Sequence, residues 1–353
     1  MPLSTRLQHG KFRRFFFLMA LGLVVALMAH LASCRSAGKG ATSPCRVTIG
    51  VPVQMLAAMV LIAKEKEYFQ QEGIQAELKE YPSGKEALDG LEKGEIDLAC
   101  ASETQFVVKA AGEANNLRIL ATIATTDNDA GIVARRDRGI KAPADLRGKT
   151  IATARGSSGH YFLHCFLAEQ YIAESDVTLM FLEPRELAPA LARGEVDAVS
   201  MYEPYLWQAQ QVLADQAVSF SSAGLYTKTF NLVVKLTSGK PPDFSDRILK
   251  SMARSEEFVA TRADDAMNIV AREIKLPADL VARLWKDSIF SLSLNQSLLL
   301  MLESERKWSL QAGLGKPGKM IPVVALVEEH PLRSVSPQAV SIIKEGFPGD
   351  LTR

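Results

Sequence analysis

Hydrophobic and polar positions along this chain predict helices and short strands in alternation, and one such unit occurs twice. Residues 91–99 read L-E-K-G-E-I-D-L-A, and residues 191–199 read L-A-R-G-E-V-D-A-V. Each copy predicts an amphipathic helix that ends at a cation and a glycine, followed by a short strand and a polar turn. A repeat of this kind indicates two similar lobes, and a cleft between lobes is a common place for a small ligand.

The order of the predicted elements is strand, helix, strand over most of the chain before residue 235, which is typical of α/β units with parallel strands. A helix is predicted at about 57–69, and strands that cross between the lobes are predicted at 131–135 and 230–234. The remainder is predicted to be mostly helical, with helices at about 243–262, 263–274, 278–286 and 295–312.

The N-terminal segment has the pattern of a secretory signal. Four cations precede an uncharged apolar run from Phe15 to Ala29. The sequence L-A-S-C at 31–34 resembles the lipobox of bacterial lipoproteins, which predicts lipidation of Cys34 after cleavage. Residues 1–33 are therefore predicted to be a lipoprotein signal peptide and 34–45 a flexible tether. The alternative is an uncleaved anchor, although the run is shorter than the roughly 20 apolar residues that span a membrane.

Composition narrows the class of protein further. The chain has 353 residues with 47% hydrophobic content, enough for two domains with cores of their own. The formal net charge is +1 and no basic stripe interleaved with aromatic residues occurs, so nucleic acid is not expected as a partner. Besides Cys34, the cysteines are Cys45, Cys100 and Cys165, which allow at most one disulfide; their pairing stays open.

Several stretches resemble one known family. Residues 145–163 read D-L-R-G-K-T-I-A-T-A-R-G-S-S-G-H-Y-F-L, and residues 190–205 read A-L-A-R-G-E-V-D-A-V-S-M-Y-E-P-Y. Residues 62–74 read I-A-K-E-K-E-Y-F-Q-Q-E-G-I. With these motifs the chain resembles periplasmic-type solute-binding proteins of the nitrate/sulfonate/taurine class, a class that also contains binders of thiamine-pyrimidine precursors.

The resemblance implies an α/β fold with two lobes, of the periplasmic-binding-protein type II, with two crossing strands and a helical C-terminal region. It implies lobe 1 at 46–134 plus 231–353 and lobe 2 at 135–230. A monomer is expected that captures a small molecule and delivers it to the transmembrane subunits of an ABC permease. Together with the lipobox, this implies an extracytoplasmic protein held at the bacterial cell envelope by the lipid on Cys34.

Two other functions stay open. The first is an enzyme on the same scaffold, like pyrimidine-making relatives, although those are cytosolic and carry a cysteine-rich motif that this chain lacks. The second is a sensor lipoprotein that binds without transport. No catalytic residue, metal or cofactor is expected. The ligand is also left open among sulfonates, nitrate, bicarbonate, pyrimidine-like compounds and other small organic molecules.

The turns that follow the strands are the expected binding site. In R-G-S-S-G at 155–159, small residues let backbone N–H groups approach an anion at a helix start, although an ordinary serine cap would look the same. Glu103 and Glu203 either stabilise helix N-termini or accept hydrogen bonds from the ligand. The candidate ligand-binding residues are Gln54, Ser83, Ser102, Glu103, Thr104, Thr126, Arg155, Ser157, Ser158, His160, Tyr202 and Glu203.

His160 and His164 are four residues apart and could share a helix face, which is a spacing that metal sites use. No H-E-x-x-H motif occurs and no third ligand is evident. His160 is therefore expected to face the cleft at the start of the helix, and His164 to pack or to meet solvent.

Overall fold

The computed structural model of the protein describes residues 45–110, 116–221, 223–314 and 321–343. The predicted signal peptide and the predicted lipidation site at Cys34 lie outside these residues. Over the part of the chain that is described, no helix combines the length and the hydrophobicity that crossing a membrane requires.

The strands form two sheets. The first sheet contains β1 (Cys45–Pro52), β2 (Ile74–Tyr81), β3 (Leu98–Ser102), β4 (Leu117–Thr126), β10 (Lys228–Lys235) and β11 (Ser288–Ile289). The second sheet contains β5 (Ala130–Arg135), β6 (Thr150–Thr153), β7 (Thr178–Phe181), β8 (Ala198–Tyr202) and β9 (Ala217–Phe220).

Both sheets follow the same plan. Their strand orders are β2-β1-β3-β10-β4-β11 and β7-β6-β8-β5-β9. In each, three parallel strands are followed by one strand that is antiparallel to both of its neighbours. Those antiparallel strands, β10 and β5, are the first strands that the chain forms after it passes from one sheet to the other. The repeat seen in nine residues therefore extends to the topology of whole sheets.

Helices cover the strand connections and make up most of the C-terminal part. They are α1 (Ala58–Glu65), α2 (Tyr68–Gln71), α3 (Gly84–Lys93), α4 (Glu103–Ala110), α5 (Ser158–Glu169), α6 (Pro184–Arg193), α7 (Tyr205–Leu213), α8 (Ser245–Thr261), α9 (Ala263–Ile274), α10 (Ala278–Trp285), α11 (Gln296–Gln311) and α12 (His330–Val335). The predicted α/β class and helical C-terminal region are confirmed.

The repeated motif makes the same contacts in both copies. Gly94 and Gly194 end α3 and α6 in the left-handed conformation, with φ of 76° and 73°. Three residues later an aspartate accepts a hydrogen bond from the middle one of the three parallel strands, β1 in the first sheet and β6 in the second. The backbone N–H of Thr48 donates to Asp97 at 2.8 Å, and that of Thr150 donates to Asp197 at 2.9 Å. The positions that are identical in the two copies thus have a structural role, and they determine where each following turn begins.

The chain passes between the sheets at places that differ slightly from the sequence expectation. The strands predicted to cross, at 131–135 and 230–234, lie wholly inside one sheet each, as β5 and β10. The chain instead leaves the first sheet after Thr126 and returns to it at Lys228. The described residues of both passages form neither helix nor strand, so no hydrophobic periodicity marks them in the sequence.

Each sheet has hydrophobic packing of its own. One large cluster surrounds the first sheet and includes Ile49, Leu98 and Phe230. The second sheet has separate clusters, one around Phe162 on α5 and another around Leu191 on α6. Two cores of this kind are the packing that a two-lobed α/β chain requires.

The helix predicted at 57–69 is in fact two helices. Glu67 adopts φ of 58°, which ends α1 and redirects the chain so that Phe69 is buried. A non-glycine residue in this conformation is uncommon, so no breaker marks the position in the sequence. The short strands β9 and β11 were not predicted either, because four and two residues are too few to show a period.

The left-handed cap gives a test of the scaffold. An added Cβ at Gly94 would meet no atom within 4 Å, so Gly94→Ala tests backbone conformation alone. We expect Gly94→Ala to lower the free energy of unfolding in urea by about 1 kcal/mol, and Gly94→Asn to lower it less, because asparagine tolerates this conformation better. Equal stability of the alanine variant and the parent protein would contradict the assignment.

Candidate functional site

A cavity of about 460 Å³ lies at the carboxyl ends of the strands of both sheets. Ser83 lines it from the turn after β2, Arg155 and Ser157 line it from the turn after β6, and Tyr202 lines it from the end of β8. Leu314, which follows α11, lies at its edge. The structure thus brings four predicted site residues together, from turns that are far apart in sequence.

The start of α5 is fixed beside this cavity. The Ser157 hydroxyl accepts a hydrogen bond from the backbone N–H of His160 at 3.2 Å, which caps the helix. An added Cβ at Gly159 would lie 2.6 Å from the Cα of Met201, so only glycine lets the helix approach β8 this closely. Ser158 is fully buried and its hydroxyl has no hydrogen-bond partner. A helix N-terminus with a spare hydroxyl is suited to an anion.

Tyr202 supplies a second spare hydroxyl. The side chain is 1% exposed and lines the cavity, yet its hydroxyl makes no hydrogen bond of normal geometry with the protein. Burial raises the pKa of the phenol well above its ordinary value, so the group keeps its proton and can donate it. Buried polar groups normally have partners, and one that faces a cavity without a partner indicates a ligand that supplies it.

Both charged and apolar groups line the cavity. The cations are Lys85 and Arg155, and the Arg155 guanidinium lies 5.0 Å from the centre of the Phe181 ring and donates to the carbonyl of Gly313 at 3.3 Å. The carboxylates are Glu86, Glu183 and Glu186, and the apolar side chains are Val108, Phe181, Leu182, Pro184 and Leu314. The site therefore offers an organic ligand both charge and apolar contact.

Glu103 lies in the core next to the site and is fully engaged by the protein. One carboxylate oxygen accepts from the backbone N–H of Thr229 at 2.6 Å and from its hydroxyl at 2.9 Å. The other accepts from the hydroxyls of Tyr226 and Thr104. Burial raises the pKa of Glu103, and these donors oppose the rise. This arrangement joins α4 to β10, and it leaves a direct ligand role for Glu103 and Thr104 as a prediction.

Ser102 acts on the cavity through a neighbour. Its hydroxyl donates to the side-chain oxygen of Gln105 at 3.2 Å and accepts from the backbone N–H of Gln105 at 3.3 Å. Gln105 lines the cavity, although sequence reasoning did not select it. Its position one helical turn after the strand end is the signal that could have identified it.

Glu203 occupies the place that a helix-stabilising carboxylate would take. It accepts from the backbone N–H of Trp207 at 2.9 Å, in the first turn of α7, and from Arg283 of α10 at 3.2 Å. Burial raises its pKa, and the hydrogen bond from Trp207 opposes the rise. The contacts match the first of the two roles considered for this residue.

A buried lysine that the sequence analysis missed lies where the chain passes between the sheets. Lys228 is 2% exposed and forms an ion pair with Asp129. Its ammonium nitrogen lies 4.5 Å from the centre of the Tyr202 ring and 3.4 Å from the side-chain oxygen of Gln54. Thr126 ends β4 shortly before Asp129, and its side-chain hydroxyl accepts a hydrogen bond from the backbone N–H of Asn128 at 3.3 Å. No motif marks a charge at a strand end as buried, so only the fold reveals this pair.

The two histidines of α5 have separate partners. His160 is 4% exposed, its Nδ1 accepts from the backbone N–H of Gly156 at 3.3 Å, and burial lowers its pKa to about 4. His164 instead pairs with Glu174 at 2.7 Å. Among the residues that the structure describes, no group of three His, Cys, Asp or Glu side chains could hold a metal ion, and Cys45, Cys100 and Cys165 are free thiols.

Comparison with known proteins identifies the relatives of this chain. The profile of the family described as NMT1/THI5 like matches residues 55–260. One relative is a protein of Bacillus subtilis (strain 168) that is named as a proposed aliphatic sulfonates-binding protein. It is 30% identical to this chain over 279 residues, which cover 76% of this chain and 83% of that protein.

Solved structures share the fold. The alkanesulfonate-binding protein SsuA from Xanthomonas axonopodis pv. citri, bound to MOPS, gives a TM-score of 0.69 at 22% identity, covering 82% of this chain and 100% of that one. The periplasmic nitrate-binding protein NrtA from Synechocystis PCC 6803 gives 0.65 at 14% identity, covering 83% and 88%. The periplasmic-binding-protein-like fold and the family resemblance expected from the sequence are confirmed.

The Lys228–Asp129 pair can be tested by removing one partner. Lys228→Met leaves the Asp129 carboxylate buried without a counter-charge, and we expect a loss of about 3–5 kcal/mol in the free energy of unfolding. The double variant Lys228→Met/Asp129→Asn removes both charges and should regain part of that loss. Chemical denaturation measures both. A single variant as stable as the parent protein would show that the pair is not a buried structural contact.

Proposed function

The chain belongs to the NMT1/THI5-like family, and we propose that it is an extracytoplasmic solute-binding protein. Its two lobes close on a small organic anion, an alkanesulfonate in particular. In this proposal each sheet is the core of one lobe and the cavity between them is the binding site. Two observations carry the proposal: the Ser158 hydroxyl in the first turn of α5 is buried without a hydrogen-bond partner, and so is the Tyr202 hydroxyl, whose side chain lines the cavity.

An anionic head group fits this end of the cavity. The His160 N–H of α5 already donates to Ser157, but the preceding N–H groups, those of Ser158 and Gly159, have no acceptor within the helix. The helix dipole adds positive potential there. The hydroxyls of Ser158 and Tyr202 can each donate one hydrogen bond, and Arg155 brings a full positive charge. A sulfonate has three oxygens, enough to accept from the helix, from a hydroxyl and from the guanidinium together.

The apolar lining favours an organic anion over an inorganic one. Phe181, Leu182 and Leu314 offer contact to a short carbon chain, which neither nitrate nor bicarbonate has. Burying each methylene is worth about 0.8 kcal/mol. Longer alkanesulfonates should therefore bind more tightly than methanesulfonate, until the cavity is filled.

Delivery to an ABC permease follows from a binding role. A ligand that contacts both lobes favours the closed form, and a permease can distinguish a closed binding protein from an open one. Such a function needs no reacting group. The carboxylates of Glu103 and Glu203, which an enzyme could use, are instead occupied by hydrogen bonds within the protein.

The N-terminal segment suits a protein of this function. We propose that residues 1–33 are removed as a lipoprotein signal peptide and that the lipid on Cys34 holds the binding protein at the membrane surface. Because Cys45 already begins β1, residues 34–44 would then act as the tether that lets the two lobes reach a permease.

Ligand binding is tested with ethanesulfonate. It should raise the melting temperature, since ligand at 100 times the dissociation constant stabilises by about 2.7 kcal/mol. Tyr202→Phe and Ser158→Ala should each weaken binding about tenfold or more, because each loses a hydrogen bond to a charged group. Neither should lower stability, because neither hydroxyl has a protein partner.

Tyr171→Phe is the matched control, because it removes the same hydroxyl from a side chain that is 89% exposed and does not line the cavity. Its affinity should equal that of the parent protein. Unchanged affinity in both Tyr202→Phe and Ser158→Ala, with binding intact, would place the ligand elsewhere. No binding of any alkanesulfonate would refute the proposed ligand class.

Membrane attachment is tested at the cysteine. Cys34→Ala expressed in a bacterial host should lose incorporation of labelled fatty acid and should stay unprocessed or leave the membrane fraction. Cys45→Ala is the control and should be labelled like the parent protein. Continued lipid labelling of Cys34→Ala would refute the lipobox.

A further inference from the structure

Glu305, in the middle of α11, is a buried carboxyl group that nothing in the proposed binding role uses. It is 1% exposed, and neither of its oxygens makes a hydrogen bond of normal geometry, although the group interacts with Glu103 and Thr104 of α4. One turn further along the same helix, the Trp308 indole N–H is also buried without a partner. An ionised carboxylate in such a place costs several kcal/mol, so the group avoids the cost by holding a proton.

A second buried carboxylate lies beside it. Glu103 is 0% exposed, and both of its oxygens accept hydrogen bonds from Tyr226, Thr229 and Thr104. Those donors stabilise the ionised form of Glu103, and its negative charge then adds to burial in raising the pKa of Glu305 well above the ordinary value. Two carboxyl groups in one buried place share one proton, and here the proton belongs on Glu305.

Other ionisable groups around Glu305 do not supply a counter-charge. Tyr161 and Cys165 face it from α5, and Tyr226 faces it from the segment before β10. Burial raises the pKa of each of these groups, so all three are neutral. On α11 itself, the Arg306 guanidinium bonds to Glu303 instead. A proton is therefore the positive charge available to Glu305.

The burial of Glu305 depends on contact between helices that follow strands of different sheets. α11 packs against α4, which follows β3 of the first sheet, and also against α5, which follows β6 of the second. The Tyr161 hydroxyl lies 3.2 Å from that of Ser304, and the Trp308 ring lies 5.0 Å from the rings of both Tyr161 and His160. If α5 moves away from α11, water reaches the Glu305 carboxyl group.

We propose that Glu305 and Glu103 form a proton-binding site that is completed only when the two lobes close, so that ligand binding takes up one proton. The inference rests on the proposed function, and it makes closure sensitive to pH. In the open form Glu305 ionises near the ordinary value of about 4.3. In the closed form it is neutral. Protonation of Glu305 therefore contributes fully to closure at a pH below the open-form pKa. That contribution is lost as the pH rises toward the pKa of Glu305 in the closed form.

The test is calorimetric titration of ethanesulfonate into the parent protein and Glu305→Gln from pH 5 to pH 8. Ethanesulfonate keeps its charge over this range, so its own titration does not contribute. Uptake of one proton weakens binding by up to tenfold per pH unit. The dissociation constant of the parent protein, divided by that of Glu305→Gln, should rise at least tenfold between pH 5 and pH 8. Taking the ratio removes the opposite contribution of His160, which both proteins share.

Glu303→Gln is the matched control, because Glu303 lies on the same helix and is partly exposed in ion pairs with Arg306 and Lys307. Its dissociation constant should follow that of the parent protein at every pH. Glu305→Met, which also removes the charge, replaces Glu305→Gln if the amide variant does not fold. A ratio that is independent of pH, with binding intact, would overturn the proton site and leave the proposed function standing.

If ethanesulfonate binds neither protein at any pH, the proposed ligand fails, and the unliganded protein decides the question of the proton. The radius of gyration of the unliganded parent protein, measured by small-angle X-ray scattering, should then increase between pH 5 and pH 8 as the lobes open, while that of Glu305→Gln should not. Equal radii of the two proteins at every pH would overturn the proton site.

Discussion

The buried ion pair between Lys228 and Asp129 is the contact on which the geometry of the cleft depends. It lies where the chain passes out of the first sheet and back into it, and the Lys228 ammonium also contacts Gln54 and the ring of Tyr202. The Lys228 ammonium thereby links the two segments that pass between the sheets to the turn after β1 and to the end of β8. Because a buried ion pair tolerates little displacement, it holds the Tyr202 hydroxyl at a fixed place in the cavity.

The rest of the site is assembled around that fixed point by repetition. In each lobe an aspartate, Asp97 or Asp197, accepts a hydrogen bond from the backbone of the neighbouring strand. This bond sets the position of the turn that follows the third parallel strand. The scaffold is thus the same twice, while the turns differ: Ser102 positions Gln105 in one lobe, and Tyr202 enters the cavity in the other. Chemical difference on a duplicated frame gives the cavity both polar and apolar lining groups.

More of the fold than of the site could be predicted from the sequence, for physical reasons. Helical periodicity and the glycine caps at Gly94 and Gly194 are local signals, so the α/β order and the C-terminal helices were predictable. The break at Glu67 was not, because its left-handed backbone follows from the burial of Phe69 and not from a residue type. Likewise Lys228 and Glu305 read as surface charges in sequence. Their burial arises from contacts between elements that are far apart along the chain.

The proposed function requires an anion that accepts hydrogen bonds from the Ser158 and Tyr202 hydroxyls. A crystal structure of the protein with ethanesulfonate would show where such an anion binds. We expect sulfonate oxygens within hydrogen-bond distance of both hydroxyls, with the ethyl group against Phe181 or Leu314. A sulfonate bound away from the start of α5, or crystals soaked at high concentration that leave both hydroxyls without a partner, would contradict it.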